Sequence, residues 1–223
     1  VSAKTGKAVA SNKHLITDTR MQVFFNEPIT AKGGKATISM NFSYKIPMKG
    51  LDRMGRLDVE KGTIYSMAQW YPRVAVFDDI TGWNSEPYLG AGEFYLGYGD
   101  FDYKVTVHLI KPEEVGNTSL TRPKQSGKIT WHFRMENTRD IAFASSKAFI
   151  WDAARINLPD GKKAIAQSAY PLESNGGNAW ERSTEYTKFS IEHYSEKWYP
   201  YPYPAAVNVA SNVGGMEYPG ISF

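Results

Sequence analysis

The residues whose types and spacing best suit chemistry lie in Gly214-Gly215-Met216-Glu217-Tyr218-Pro219-Gly220. A carboxylate such as Glu217 is the natural partner of an ammonium group, through a charge-assisted hydrogen bond. Gly214 and Gly215 carry no bulk, so a second backbone could lie close and pair as an added strand. Met216 would supply a soft apolar wall. Taken alone, the same string also reads as a turn followed by a surface glutamate. Gln69, in Gln69-Trp70-Tyr71-Pro72-Arg73, is a second polar candidate, and it reads equally as a satisfied residue beside a strand. Other candidates read more simply as structure. Asp78-Asp79 suits a solvated turn, and His132 the polar side of a strand between Trp131 and Phe133. His193 lacks ligand spacing, and Ser145-Ser146 lacks the Gly-x-Ser-x-Gly setting of a hydrolase nucleophile. No phosphate-binding glycine loop occurs.

Composition bounds the elements that must carry these groups. The 223 residues suffice for one large or two small domains. With 14% aromatics, 19 Gly and 12 Pro, strands and turns are favoured over helix bundles. A net charge of +3 without clustered Lys and Arg argues against nucleic-acid binding. The absence of Cys excludes a disulfide framework, a Cys-based zinc site and a thiol nucleophile. It leaves the compartment open. No apolar run approaches the roughly 20 residues of a membrane span. The opening Val1-Ser2-Ala3-Lys4 has neither an initiator Met nor an apolar signal core, which suggests a trimmed or mature start.

The hydrophobic pattern alternates along several segments. Met21 to Phe25 reads as a strand. Ile38, Met40, Phe42, Tyr44 and Ile46 alternate with polar residues and read as a half-buried strand. Thr63-Ile64-Tyr65, Val74 to Phe77, Phe101 to Leu109 and Ile129 to Met135 follow suit, with a polar loop over 111–126. Ala142 to Tyr170 reads as a second β region turning at Leu158-Pro159-Asp160-Gly161. The period then changes. Trp180, Thr184, Thr187, Ile191, Tyr194 and Trp198 form one stripe of a helix over about twenty residues, with Asn178 at its cap. Pro200, Pro202 and Pro204 stop it.

Gly214-Gly215-Met216-Glu217 resembles the exopeptidase motif, Gly-x-Met-Glu-Asn, of the aminopeptidase N family of gluzincin zinc peptidases. The segment from Thr63 to Asp79, with Gln69 and Arg73, resembles that family's N-domain signature. Phe143 to Phe149 resembles the strand leading into its catalytic domain. The helix, the Tyr-Pro repeats and the final motif follow in the family's order, most similar to its bacterial branch. Tyr218 stands where the common motif has Asn, so an amide contact is lost or replaced. The stretch from Val107 to Gly127 is short beside the family.

The resemblance implies a mainly β fold: an antiparallel β-sandwich or saddle-like N-terminal domain over 1–150, then the α+β start of a thermolysin-like catalytic domain over 151–223. It implies that Glu217 holds the free α-amine of a peptide substrate, with Gly214, Gly215, Met216, Gln69 and Tyr218 around it. The family's zinc motif, His-Glu-x-x-His, would follow downstream. None of His14, His108, His132 and His193 precedes a Glu, and no residue here matches the zinc ligands, the glutamate base or the oxyanion-stabilising tyrosine. The expectation is therefore a fragment of a zinc metalloaminopeptidase. It would bear no catalytic or metal residue of its own and be inactive alone, with zinc in the parent enzyme. Its partners would be a peptide with a free N-terminus and the rest of the catalytic domain, without nucleic acid or a membrane span. A periplasmic or secreted setting is favoured over a cytoplasmic one. The alternative reading is a non-catalytic β-sandwich module that binds glycans or proteins.

Overall fold

The computed structural model describes residues 13–48, 52–86, 97–108, 127–177, 179–211, 213 and 215–223. The chain divides into two compact units, one of Val1–Lys45 with Val74–Gly97, the other of Ile46–Arg73 with Tyr98–Phe223. Residue 150 falls inside the second unit. Strands dominate, mostly in antiparallel pairs.

In the first unit β1 (His14–Thr17) and β2 (Arg20–Val23) form a hairpin that turns at Asp18, φ 54°. Aspartate tolerates this left-handed backbone better than most residues. In the second unit β3 (Met54–Val59) pairs with β4 (Gly62–Ala68). The first unit also holds the short pair β5 (Phe77–Asp78) and β6 (Gly82–Trp83). The remaining elements belong to the second unit. The longest hairpin joins β7 (Gly99–His108) to β8 (Lys128–Thr138). One of its faces carries the cross-strand pairs Phe101/Met135, Tyr103/Phe133, Val105/Trp131 and Val107/Ile129, as the alternation of both sequences requires. The strand β9 (Ala142–Ser145) adds to β4, completing a three-stranded sheet.

Two strand expectations are corrected. The segment from Thr37 to Ile46 forms no strand: Ile38, Met40, Phe42 and Tyr44 are 41–49% exposed, and no ladder pairs them among the described residues. Alternation suits a strand only where a neighbour takes up the backbone hydrogen bonds and covers the apolar side. The run Val74 to Phe77 likewise contributes only Phe77 to a ladder. The expected loop over 111–126 lies outside the described residues.

The elements around Glu217 gather in a five-stranded mixed sheet. It contains β10 (Ile150–Asn157), β11 (Lys163–Tyr170), β12 (Ala205–Val209), β13 (Glu217–Tyr218) and β14 (Ile221–Ser222), in the order β10-β11-β12-β14-β13. The β10–β11 hairpin turns where the sequence placed it, with Gly161 at φ 82°. β12 is parallel to β11 and to β14, and β13 is antiparallel to β14. A 3-10 turn, Trp180–Arg182, leads into helix α1 (Ser183–Lys197). The expected cap, Asn178, lies outside the described residues.

The buried side of α1 keeps Thr184 and Ile191 of the expected stripe and differs in the rest. It buries Ser183, Thr184 and Ser195, whereas Tyr194 is half exposed and Trp198 is 72% exposed. The sheet face beneath explains this, because Ala164, Ala166 and Ala206 line it beside Ile156 and Leu158. Small hydroxyl residues let the helix approach so flat a surface; large rings would hold it off. Ile191 and Tyr201 complete that core. A second core joins Met216 and Val213 to Ala68 of β4 and Ala142 of β9, with Tyr218, Ile221 and Phe223 packed against it. Burying each large aliphatic side chain contributes about 1.5–3 kcal/mol.

Candidate functional site

Glu217 stands on the last strand of the mixed sheet. Tyr218-Pro219-Gly220-Ile221 forms a tight turn with Gly220 at φ 79°, which suits Pro then Gly at its two central positions. Met216 and Phe223 exchange both backbone hydrogen bonds, so the next pair, Glu217 and Ser222, is a non-hydrogen-bonded one. Side chains of such a pair lie on one face at close range. Ser222 Oγ donates to Asn208 Oδ1, and Asn208 Nδ2 donates to Ser183 Oγ (3.1 Å) and Thr187 Oγ1 (2.6 Å) on α1. Glu217 therefore points to the side of the sheet that α1 covers.

The register extends this face into a row. Asp152, Ser168, Asn208, Ser222 and Glu217 are neighbours across all five strands. An otherwise alanine-rich face is thus crossed by one polar line. Its outer end opens into a cleft of about 320 Å³ between α1 and the β12–β14–β13 corner. Tyr186, Thr187 and Ser190 from the helix face Asn208, Ser222 and Glu217 from the sheet. Among the described residues of that lining Glu217 is the one carboxylate, and it is exposed.

The remaining expected site residues have different surroundings. Met216 is only 2% exposed and packs on Ala68 and Ala142. Its side chain is core, and this corrects the expectation of a soft wall open to a ligand. The alternation of a strand is the cause: Glu217 faces the cleft, so Met216 must face away. Gly215 is exposed, and a Cβ built there would meet nothing within 4 Å. Gly214 lies outside the described residues. Tyr218 is half-buried, against the Met216 core. Gln69 directly follows Ala68, with its backbone held at φ 50°. The two segments singled out far apart in sequence thus meet through Ala68 and Met216.

Beside Gln69 the structure assembles a cluster without a sequence signal. Asp140, 2% exposed, pairs with Arg73, accepts from Tyr71 Oη (2.8 Å) and accepts from the Ile141 backbone N–H (2.7 Å). Burial, with the Asp140 hydrogen bond second, pushes the Tyr71 phenol well above its usual range. Trp70 packs edge-on against Tyr71 and Phe143. Tyr103, stacked on Phe133, is raised by burial to about 12. Asp140 escapes a reading of local spacing because it meets Tyr71 and Arg73 only through the fold.

The other titratable candidates make local contacts. Asp78 accepts from the Ile80 and Thr81 backbones, the Thr81 hydroxyl and the Asn84 amide; these bonds, with the Thr81 backbone first, lower it to about 2. His132 pairs with Asp102 at 2.6 Å on the exposed face of the β7–β8 hairpin. Among the described residues no three His, Asp or Glu side chains come together as metal ligands. Among the described residues no helix is long and apolar enough to cross a membrane. No known protein family, curated protein or solved structure matches this chain.

Proposed function

We propose that this chain is the substrate-positioning part of a zinc-dependent aminopeptidase. On this reading it comprises an N-terminal β-sandwich domain and the start of a thermolysin-like catalytic domain. One observation carries the proposal: the Glu217 carboxylate lines the cleft from the outermost strand of the mixed sheet. A peptide's α-ammonium entering there would meet an exposed anion flanked by hydroxyl and amide groups. A charge-assisted contact of this kind fixes the amine end. Fixing it orients the first peptide bond, and orientation is the chain's contribution to rate. The outer edge of β13 and the open space beside Gly215 suit a peptide backbone added as a strand. The convergence of the Gln69 segment on the Met216 core supports the same assignment. Zinc, when bound in the parent enzyme, would polarise the scissile carbonyl. The described residues offer it no ligand set.

Binding of a short alanine peptide amide tests the proposal, compared with its N-acetylated form by titration calorimetry. The free amine should bind at least about tenfold more tightly, and Glu217→Gln should remove most of that preference. Equal affinity for the two peptides, or an unchanged preference in the variant, rejects the role of Glu217. The rival reading, a binding module without catalysis, draws support from the exposed rings of Trp131, Trp151 and Trp198. Binding that quenches these tryptophans but ignores the peptide's N-terminus would favour it.

A further inference from the structure

The hydrogen bonds around Asn208 have a fixed direction, and that direction bears on Glu217. Thr187 Oγ1 donates its only proton to the Ser183 carbonyl at 2.8 Å. It can therefore only accept from Asn208, so the Asn208 amide nitrogen must face the helix. The amide oxygen then faces Ser222, and Ser222 must donate to it. A serine hydroxyl has one proton. That proton is committed to Asn208, so Ser222 has none to offer its cross-strand neighbour Glu217. The Glu217 carboxylate receives no hydrogen bond from that hydroxyl. The Ser222 lone pairs remain, half-buried in the same cleft lining as Glu217.

From this directed chain we infer that Ser222 Oγ is a second acceptor for the substrate ammonium, with its polarity set by Asn208. The inference rests on the amine-binding reading of the cleft. An ammonium carries three N–H donors, and a single carboxylate does not use them all. Glu217 takes the charge and one donor, and Ser222 takes another. Two acceptors held on adjacent strands define where the amine sits as well as that it binds. Asn208 is the positioning residue: it touches no substrate, and it acts by turning the Ser222 hydroxyl.

The test alters the number of donors while keeping the charge. The alanine peptide amide is compared with its N,N-dimethylated form, a cation with one N–H, and with its N-acetylated form, on the whole chain. In the wild type dimethylation should weaken binding about fivefold. In Ser222→Ala that penalty should fall to near unity, while the preference for a cation over the acetylated peptide persists. Ser222→Thr, which restores a hydroxyl, should restore the penalty. Asn208→Ala, which frees the Ser222 proton to turn toward Glu217, should also lower it. An equal dimethylation penalty in the wild type and Ser222→Ala overturns the role of Ser222 and leaves that of Glu217 standing. A wild type indifferent to acetylation overturns both.

Discussion

Arg73 and Asp140 form an ion pair in which the carboxylate is almost fully buried and the guanidinium largely so. Asp140 Oδ2 and Arg73 Nε are buried without a hydrogen-bond partner among the described residues. The pair is thus incompletely satisfied, which limits what it adds over an apolar replacement, yet losing one member strands the other. Asp140→Ala should destabilise the protein by about 3–5 kcal/mol. Tyr71→Phe, which removes one bond to the same carboxylate, should cost about 2 kcal/mol. The double variant Arg73→Met with Asp140→Leu should be more stable than Asp140→Ala alone. Urea unfolding followed by tryptophan fluorescence measures all three, and a double variant weaker than the single one would refute this account of the pair.

Tyr71 and Tyr103 are both held above the ordinary phenol range, Tyr103 at about 12. In the unfolded chain each loses its proton near pH 10, so the unfolded state sheds protons first as the solution becomes alkaline. The stabilisation is fully present below about pH 10 and is lost as pH rises toward the folded-state values. Unfolding should therefore set in well above neutrality, with tyrosinate absorbance and loss of structure appearing together. Tyr103→Phe should delay that alkaline transition. Normal titration of every tyrosine in the folded protein would contradict the environment described for these two.

Gly220 holds the turn beneath Glu217, at φ 79°, and a Cβ there would come within 3.3 Å of the Ala205 carbonyl oxygen. The same residue's carbonyl accepts from Val207, which fixes β14 to β12. Gly220→Ala combines backbone strain with a close contact and should cost about 1–3 kcal/mol. Gly215→Ala, in open space, should cost far less. Thermal unfolding of the two variants compares them directly, and equal losses would mean that the turn does not govern this corner.

Much of the strand content was legible because β7 and β8 alternate along their lengths, and because the β10–β11 hairpin turns at Gly161. The segment from Thr37 to Ile46 alternates just as clearly, but pairing belongs to a partner, and no local pattern supplies one. The end of the helix was legible in its prolines. Its buried side was legible in part: Thr184 and Ile191 of the expected stripe do pack inward, but size also marked Tyr194 and Trp198 as core, whereas fit to an alanine face selected Ser183 and Ser195. Glu217 stood out through its glycines. Ser222 and Asn208 did not, since only the strand register makes them neighbours of Glu217. The burial of Met216 follows from the same alternation that exposes Glu217.

The brevity of β13 has a consequence of its own. A rung of only two residues, Glu217 and Tyr218, offers an incoming chain scarcely more than one repeat of the hydrogen-bond ladder. Under the proposed function, such an edge would sense the tip of an extended polypeptide while remaining blind to how far the rest of it reaches. Affinity should then level off after the first few residues, and long and short peptides with the same leading end would compete as equals.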